Sequence, residues 1–280
     1  MSYKTILAVL DDPASARQVS EFAIVLSRQF SAHIVGVHAE TLAAVPLIAP
    51  MEIPDPAAVQ VLQEAAQRET AIIEQAFRAK MAGQELSFEW RSFISANGYA
   101  SGNVIESARA VDLIVASQGN PADGSDNRAD LEAFLFESGR PMLLVPRTIA
   151  QPQPIRNVLI AWNGSREATR ATFDALPFLK AAVSVEVFCV DPPDMGGQVP
   201  EMAGVELAAT LARHGVNVTL RTEQTSGTKA SAVIENRLSD SSIDLLVMGG
   251  YGHARWWEVL FGGVTRTLLD SMTALTLLSR

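Results

Sequence analysis

The chain has 280 residues, 48% hydrophobic and 19% charged, the composition of a globular protein long enough for one large or two ordinary domains. Its net charge of −9 argues against a nucleic-acid surface, because neutralising phosphates takes clustered lysine and arginine. Only a short apolar run precedes Asp11 and Asp12, and no stretch approaches a membrane span, so the expectation is a cytoplasmic protein with no signal peptide and no membrane partner.

In chain order, Thr5 to Leu10 reads as a strand, and Asp11-Asp12-Pro13 as a helix entry with a capping acid before a proline. Residues 16–29 place Val19, Phe22, Ala23 and Leu26 at helical spacing, and His33 to His38 reads as a second strand. Residues 39–56 carry Pro46, Pro50, Pro54 and Pro56 and read as a long excursion at the sheet edge. A helix from about Ala57 to Met81 shows a broad apolar stripe that includes Val61, Leu62, Ile72, Ile73 and Phe77, and Gly83 ends it. Strands at 86–93, 112–116 and 141–145, with helices at 102–110 and 129–138, complete a βαβαβαβαβ order. That alternation implies a mostly parallel sheet with helices on both faces. Residues 147–154 are a proline-containing linker.

The second half repeats the first. Val158 to Trp162 answers Ile6 to Leu10, Asn163-Gly164-Ser165 answers Asp11-Asp12-Pro13, and Ser184 to Asp191 answers His33 to Glu40. Asn217 to Arg221 parallels Ser87 to Arg91, Val233-Ile234-Glu235 parallels Val104-Ile105-Glu106, and Asp244 opens DLLVMG where Asp112 opens DLIVAS. Leu275 to Leu278 matches Met142 to Val145. Shared order and spacing over this many elements mark an internal repeat, with units at 1–146 and 155–280.

The apolar run Leu245 to Met248 ends in Gly249, Gly250 and Gly252, and Gly262-Gly263 opens what reads as a helix. Glycines at the carboxyl end of a buried strand allow close backbone approach, and N–H groups at a helix start can hold an anion without lysine. The plainer reading is a strand-to-helix turn that needs glycine for steric reasons alone. Acidity concentrates in the first half, where residues 1–146 carry 10 basic against 18 acidic side chains, while residues 147–280 carry 12 against 13. A small anion would thus prefer the second half, near His253, Arg255 and Arg266, although the imbalance could also be chance. Cys189, the single cysteine, lies in an apolar run and reads as a packing residue.

Two tandem units, each opening with a strand and an Asp-Gly-Ser-like turn, one of them carrying Gly249-x-x-Gly252-x9-Gly262, resemble the universal stress protein family along essentially the whole chain. The resemblance implies a five-stranded parallel sheet of adenine nucleotide α-hydrolase-like topology in each unit, with the two halves pairing within one chain as the family's dimers do. It also implies ATP or a related adenine nucleotide in the second unit, possible magnesium with it, a stress-response role, an unnamed protein partner and a possible further homodimer. By position, the nucleotide would meet Asn163 at its ribose, Val190 and Asp191 near its base, and Gly249, Gly252, His253, Gly262, Gly263, Val264 and Thr265 at its phosphates. Two departures weaken the analogy: Gly263 stands where the family has serine or threonine, and Asn163 where ATP-binding members have aspartate. Asparagine can still hydrogen-bond a hydroxyl.

In the first half, Ser117 and Asn120 replace the motif glycines and Asp123, Asp126 and Asp130 follow, so this unit reads as a non-binding partner, or as one that takes another ligand through residues 41–56. His33, His38, His214 and His253 share no metal-ligand spacing, and no nucleophile elbow or Walker-type loop occurs. Trp256 and Trp257 read as packing rather than as a base-stacking platform. Three functions remain: a nucleotide-binding regulatory module, a nucleotide-free interaction scaffold, and, weakest, a slow ATP hydrolase for which no positioned base is visible.

Overall fold

In the computed structural model the described residues are 2–41, 55–95, 99, 102–119, 128–191, 204–225, 227–250 and 272–280. They divide into two compact units, Tyr3–Arg140 and Pro141–Arg280. Of the proline-rich excursion read at 39–56, residues 39–41 instead continue a strand and Pro56 opens a helix, while 42–54 lie outside the described residues, as do the Asn97-Gly98 turn, the acidic loop after Asn120 and the helix expected at Gly262.

The first unit runs β1 (Thr5–Val9), α1 (Pro13–Phe30), β2 (His33–Thr41), α2 (Pro56–Met81), β3 (Phe88–Ser95), α3 (Gly102–Arg109), β4 (Leu113–Ser117) and α4 (Arg128–Glu137). Its strands pair in the order β3-β2-β1-β4, and the registers of β1 with β2, β1 with β4 and β2 with β3 are all parallel. β4 is buried at every residue and β1 at all but Thr5, as strands covered on both faces must be. The spacing read on α1 holds, because Val19, Phe22, Ala23 and Leu26 are all buried. On α2 the apolar stripe narrows to Thr70, Ile73, Phe77 and Met81, while Val61 and Ile72 are 60% and 55% exposed. Its 26 residues span about 39 Å at 1.5 Å each, and the amino-terminal half buries no residue.

The second unit runs β5 (Met142–Val145), β6 (Asn157–Ala161), α5 (Arg166–Asp174), α6 (Leu176–Ala181), β7 (Ser184–Val190), α7 (Val205–Arg213), β8 (Val218–Glu223), α8 (Ala230–Asp240), β9 (Leu245–Gly249) and β10 (Leu275–Ser279). The order is β5-β10-β9-β6-β7-β8, parallel except that β5 runs antiparallel to β10. The strand that closes the first repeat in sequence therefore belongs to the second compact unit and pairs there with β10. Pro177 sits in the first turn of α6, where its missing N–H costs nothing, and the helix that follows β6 breaks into α5 and α6 just before it.

The repeat persists down to single hydrogen bonds. Leu10 N–H donates to the Val37 carbonyl (3.0 Å) as Trp162 N–H donates to that of Phe188 (2.9 Å). Asp112 Oδ2 accepts from Lys4 and Thr5 N–H (2.7 and 2.9 Å), and Asp244 Oδ2 from Arg156 and Asn157 N–H (both 2.8 Å).

Candidate functional site

In the second unit β6 lies between β7 and β9. The chain leaves β6 for a neighbour on one side and returns through β9 on the other, which makes the carboxyl ends of β6 and β9 the switch point where open α/β sheets bind ligands. Asn163 and Gly164 follow β6, Gly249 ends β9, and Val190 and Asp191 end β7 one strand further over. Gly252, His253, Gly262, Gly263, Val264 and Thr265 lie outside the described residues.

The turn after β6 is built locally. Asn163 Oδ1 accepts the Ser165 N–H at 3.1 Å, and Gly164 takes φ +74°, a conformation that suits glycine. Ser165 then caps α5, its hydroxyl accepting from Ala168 N–H at 3.1 Å. This leaves the N–H groups of Arg166 and Glu167 without a hydrogen-bond partner among the described residues. Asn163 is exposed; its Oδ1 accepts one hydrogen bond in the turn and keeps a second lone pair, and its Nδ2 donors have no partner among the described residues.

Gly249 approaches protein rather than open space. A Cβ there would fall 2.5 Å from Ala168 N and 2.6 Å from Glu167 C, so glycine brings the end of β9 against the first turn of α5. Gly250 N–H donates to the Ser279 carbonyl at 2.9 Å, tying the exit of β9 to the end of β10. Asp191 has φ +43° and turns toward β8: its Oδ1 accepts from Thr225 N–H at 2.8 Å. Those hydrogen bonds from Thr225 hold its carboxyl below the usual range. The carboxylate is thus engaged away from the β6–β9 pair. Val190 is half-buried beside it.

Two features beyond the motif residues complete the site. Trp162 is half-buried, and its Cδ1 would lie 3.3 Å from a Cβ on Gly204, the residue that precedes α7 with φ +81°. The free amides of Arg166 and Glu167 are the other. A signal existed for these: a neutral serine cap in the second repeat stands opposite an acid-proline pair in the first.

At the first unit's equivalent position no such donors remain. Asp12 Oδ1 accepts from both Ala14 N–H (2.7 Å) and Ser15 N–H (3.0 Å), and Pro13 has no N–H to offer. A carboxylate already occupies the place an anion would take. Among the described residues no group of three His, Cys, Asp or Glu converges as a metal site.

No family model matches the chain, and no curated protein matches it in sequence. Solved structures do match in fold. One is a universal stress protein from Archaeoglobus fulgidus, 15% identical, aligned over 99% of this chain and 98% of its own, with a TM-score of 0.67. A putative universal stress protein from Pseudomonas aeruginosa (14% identical, 99% and 93% covered) gives 0.60, and a protein of unknown function from the same species (16%, 99% and 92%) gives 0.61. The fold is thus that of the universal stress proteins, an α/β architecture with a mostly parallel sheet and helices on both faces.

Proposed function

We propose that this protein is a regulatory module of the stress-response type that binds ATP or a related adenine nucleotide at the carboxyl ends of β6 and β9. The observation that carries this reading is the difference between two equivalent helix starts. α5 presents two free N–H groups beside exposed Asn163 and Gly164, whereas Asp12 consumes every donor at the start of α1. Helix-start donors favour anions, and the Asn163 amide favours a ligand hydroxyl as acceptor. In this reading Asn163 would serve a ribose, the Arg166 and Glu167 amides an anionic or carbonyl oxygen, and the glycine loop that follows Gly249 the phosphates. Magnesium, if it accompanies the nucleotide, would arrive on the phosphates.

Ligand occupancy would act by biasing the population of a partner-binding conformation. The test is to denature the protein as purified, without added nucleotide, identify the released small molecules by mass spectrometry, and titrate ATP with magnesium by calorimetry. Adenine nucleotide near one equivalent per chain is the expected result. Folded protein with no released nucleotide and no heat would reject the reading and favour a scaffold acting through its surfaces.

A further inference from the structure

The carboxyl end of the first unit's sheet is tied by groups for which the nucleotide reading has no use. The Leu10 carbonyl, just past β1, accepts from two side chains: His38 Nδ1 at 2.7 Å and the Tyr99 hydroxyl at 2.9 Å. A carbonyl only accepts, so His38 is held with the hydrogen on Nδ1. Tyr99 N–H in turn donates to Asp130 Oδ1 on α4 at 2.9 Å, and its ring centre lies 5.9 Å from that of Phe134. One oxygen therefore joins β1, β2 and Tyr99 and, through Tyr99, α4. His38 and Tyr99 are each only 5% exposed.

The other side of His38 is less satisfied. Its ring stacks on Trp90 of β3 with centroids 6.3 Å apart, and the buried indole N–H of Trp90 has no acceptor among the described residues. The closed arrangement thus leaves a donor unmet, a cost that entry of water removes. The charged groups facing the cluster are Glu40 on β2 itself, which accepts from Thr70 of α2 at 3.1 Å, together with Glu69 of α2, Asp11 after β1 and Asp130 of α4. Loss of hydration outweighs the bond to the Leu10 carbonyl and the pull of Glu69 and Glu40, and burial holds the His38 imidazole below its ordinary value.

The second unit has the same strand register without the device. Its counterpart of Leu10 is Trp162, Cys189 stands in place of His38, and the residue matching Tyr99 by the Val104–Val233 correspondence is exposed Thr228. We propose that the first unit carries a proton-operated latch: His38, Leu10 and Tyr99 hold the carboxyl end of its sheet closed, and protonation of His38 opens it while the second unit stays shut. The sign follows from linkage. Above the ordinary histidine value of about 6.5 both closed and open states are neutral, and the closed state keeps its full advantage. Below it the hydrated, open histidine takes up a proton first. Opening is then favoured by up to about tenfold per pH unit, until the lowered value of the closed state is reached.

The experiment is hydrogen–deuterium exchange of the full chain at pH 7.5 and 5.5, corrected for intrinsic rates. Peptides covering residues 7–10 and 35–40 should lose protection at pH 5.5, by up to about tenfold for a single histidine proton, while those covering 159–162 and 187–190 keep theirs. His38→Asn, whose side-chain nitrogen can replace Nδ1 as donor but does not titrate, should abolish the pH dependence. That variant separates the histidine from the nearby carboxylates. Unchanged protection in the first unit, equal loss in both units, or a wild-type profile in His38→Asn would overturn the latch. If His38→Asn does not fold, Tyr99→Phe decides: it removes the hydroxyl that bonds the Leu10 carbonyl and lies 3.4 Å from His38 Nδ1, and should lower protection of residues 7–10 and 35–40 at both pH values while 159–162 and 187–190 keep theirs; a wild-type profile there also overturns the proposal.

Discussion

Gly249 stands so close to Ala168 that a methyl group added to it would lie 2.5 Å from the Ala168 backbone nitrogen. Both partners are backbone, so neither can swing aside as a side chain would. Gly249→Ala must push α5 off β9 or bend the strand, and overpacking of this kind costs about 1–3 kcal/mol. A lower urea midpoint with an unchanged slope is the expected outcome. An unchanged midpoint would mean that α5 yields freely.

Nucleotide binding should depend on the two halves unequally. Gly252→Asp or Gly262→Asp adds bulk and negative charge in the proposed phosphate loop and should abolish ATP binding measured by calorimetry. Substitutions at Ser117 or Asn120, which match Gly249 and Gly252 in the first half, should leave it intact. Asn163→Ala removes a neutral hydrogen-bond donor and should weaken binding by about two- to tenfold, the range of one such bond. Equal loss from changes in both halves would sink the asymmetric model.

Asp112 and Asp244 fasten the starts of β1 and β6 through two backbone N–H groups each. Charge-assisted bonds of this kind are stronger than neutral ones. Asp112→Ala and Asp244→Ala should each lower stability by about 1–3 kcal/mol, read as a loss of thermal midpoint. Asparagine at the same positions should recover part of the loss, because it keeps an acceptor oxygen without the charge.

Burial pushes the Cys189 thiol up to about 11. A raised value keeps the thiol protonated, and only the thiolate is nucleophilic. At pH 8 the folded protein should react with an alkylating reagent about a hundredfold more slowly than the denatured chain, from the ratio of thiolate fractions alone. Fast labelling of the native protein would show that β7 opens at that position.

The fold was largely legible in the sequence because its signals are local or periodic. Asp12 before Pro13 announced α1, and the structure shows the carboxylate capping it. The apolar runs read at 112–116 and 245–248 announced buried strands, found at Leu113–Ser117 and Leu245–Gly249, and matching aspartates at their starts revealed the repeat. The candidate site was legible in position but not in detail. Asn163 and Gly249 do stand at neighbouring strand ends, yet Asp191 turns to Thr225, a choice set by a backbone N–H 34 residues away.

Sequence alone determined the element order, the internal repeat and the loss of motif glycines from the first half, since these depend on residue type and spacing along one dimension. Tertiary structure decided which donors remain free and what each glycine touches. Gly249 meets Ala168 across 81 positions of sequence, and Tyr99 reaches Leu10 across 89. Periodicity carries no record of such distances. They are set when close packing brings particular backbone and side-chain atoms together, and burial then makes every unpaired polar group costly.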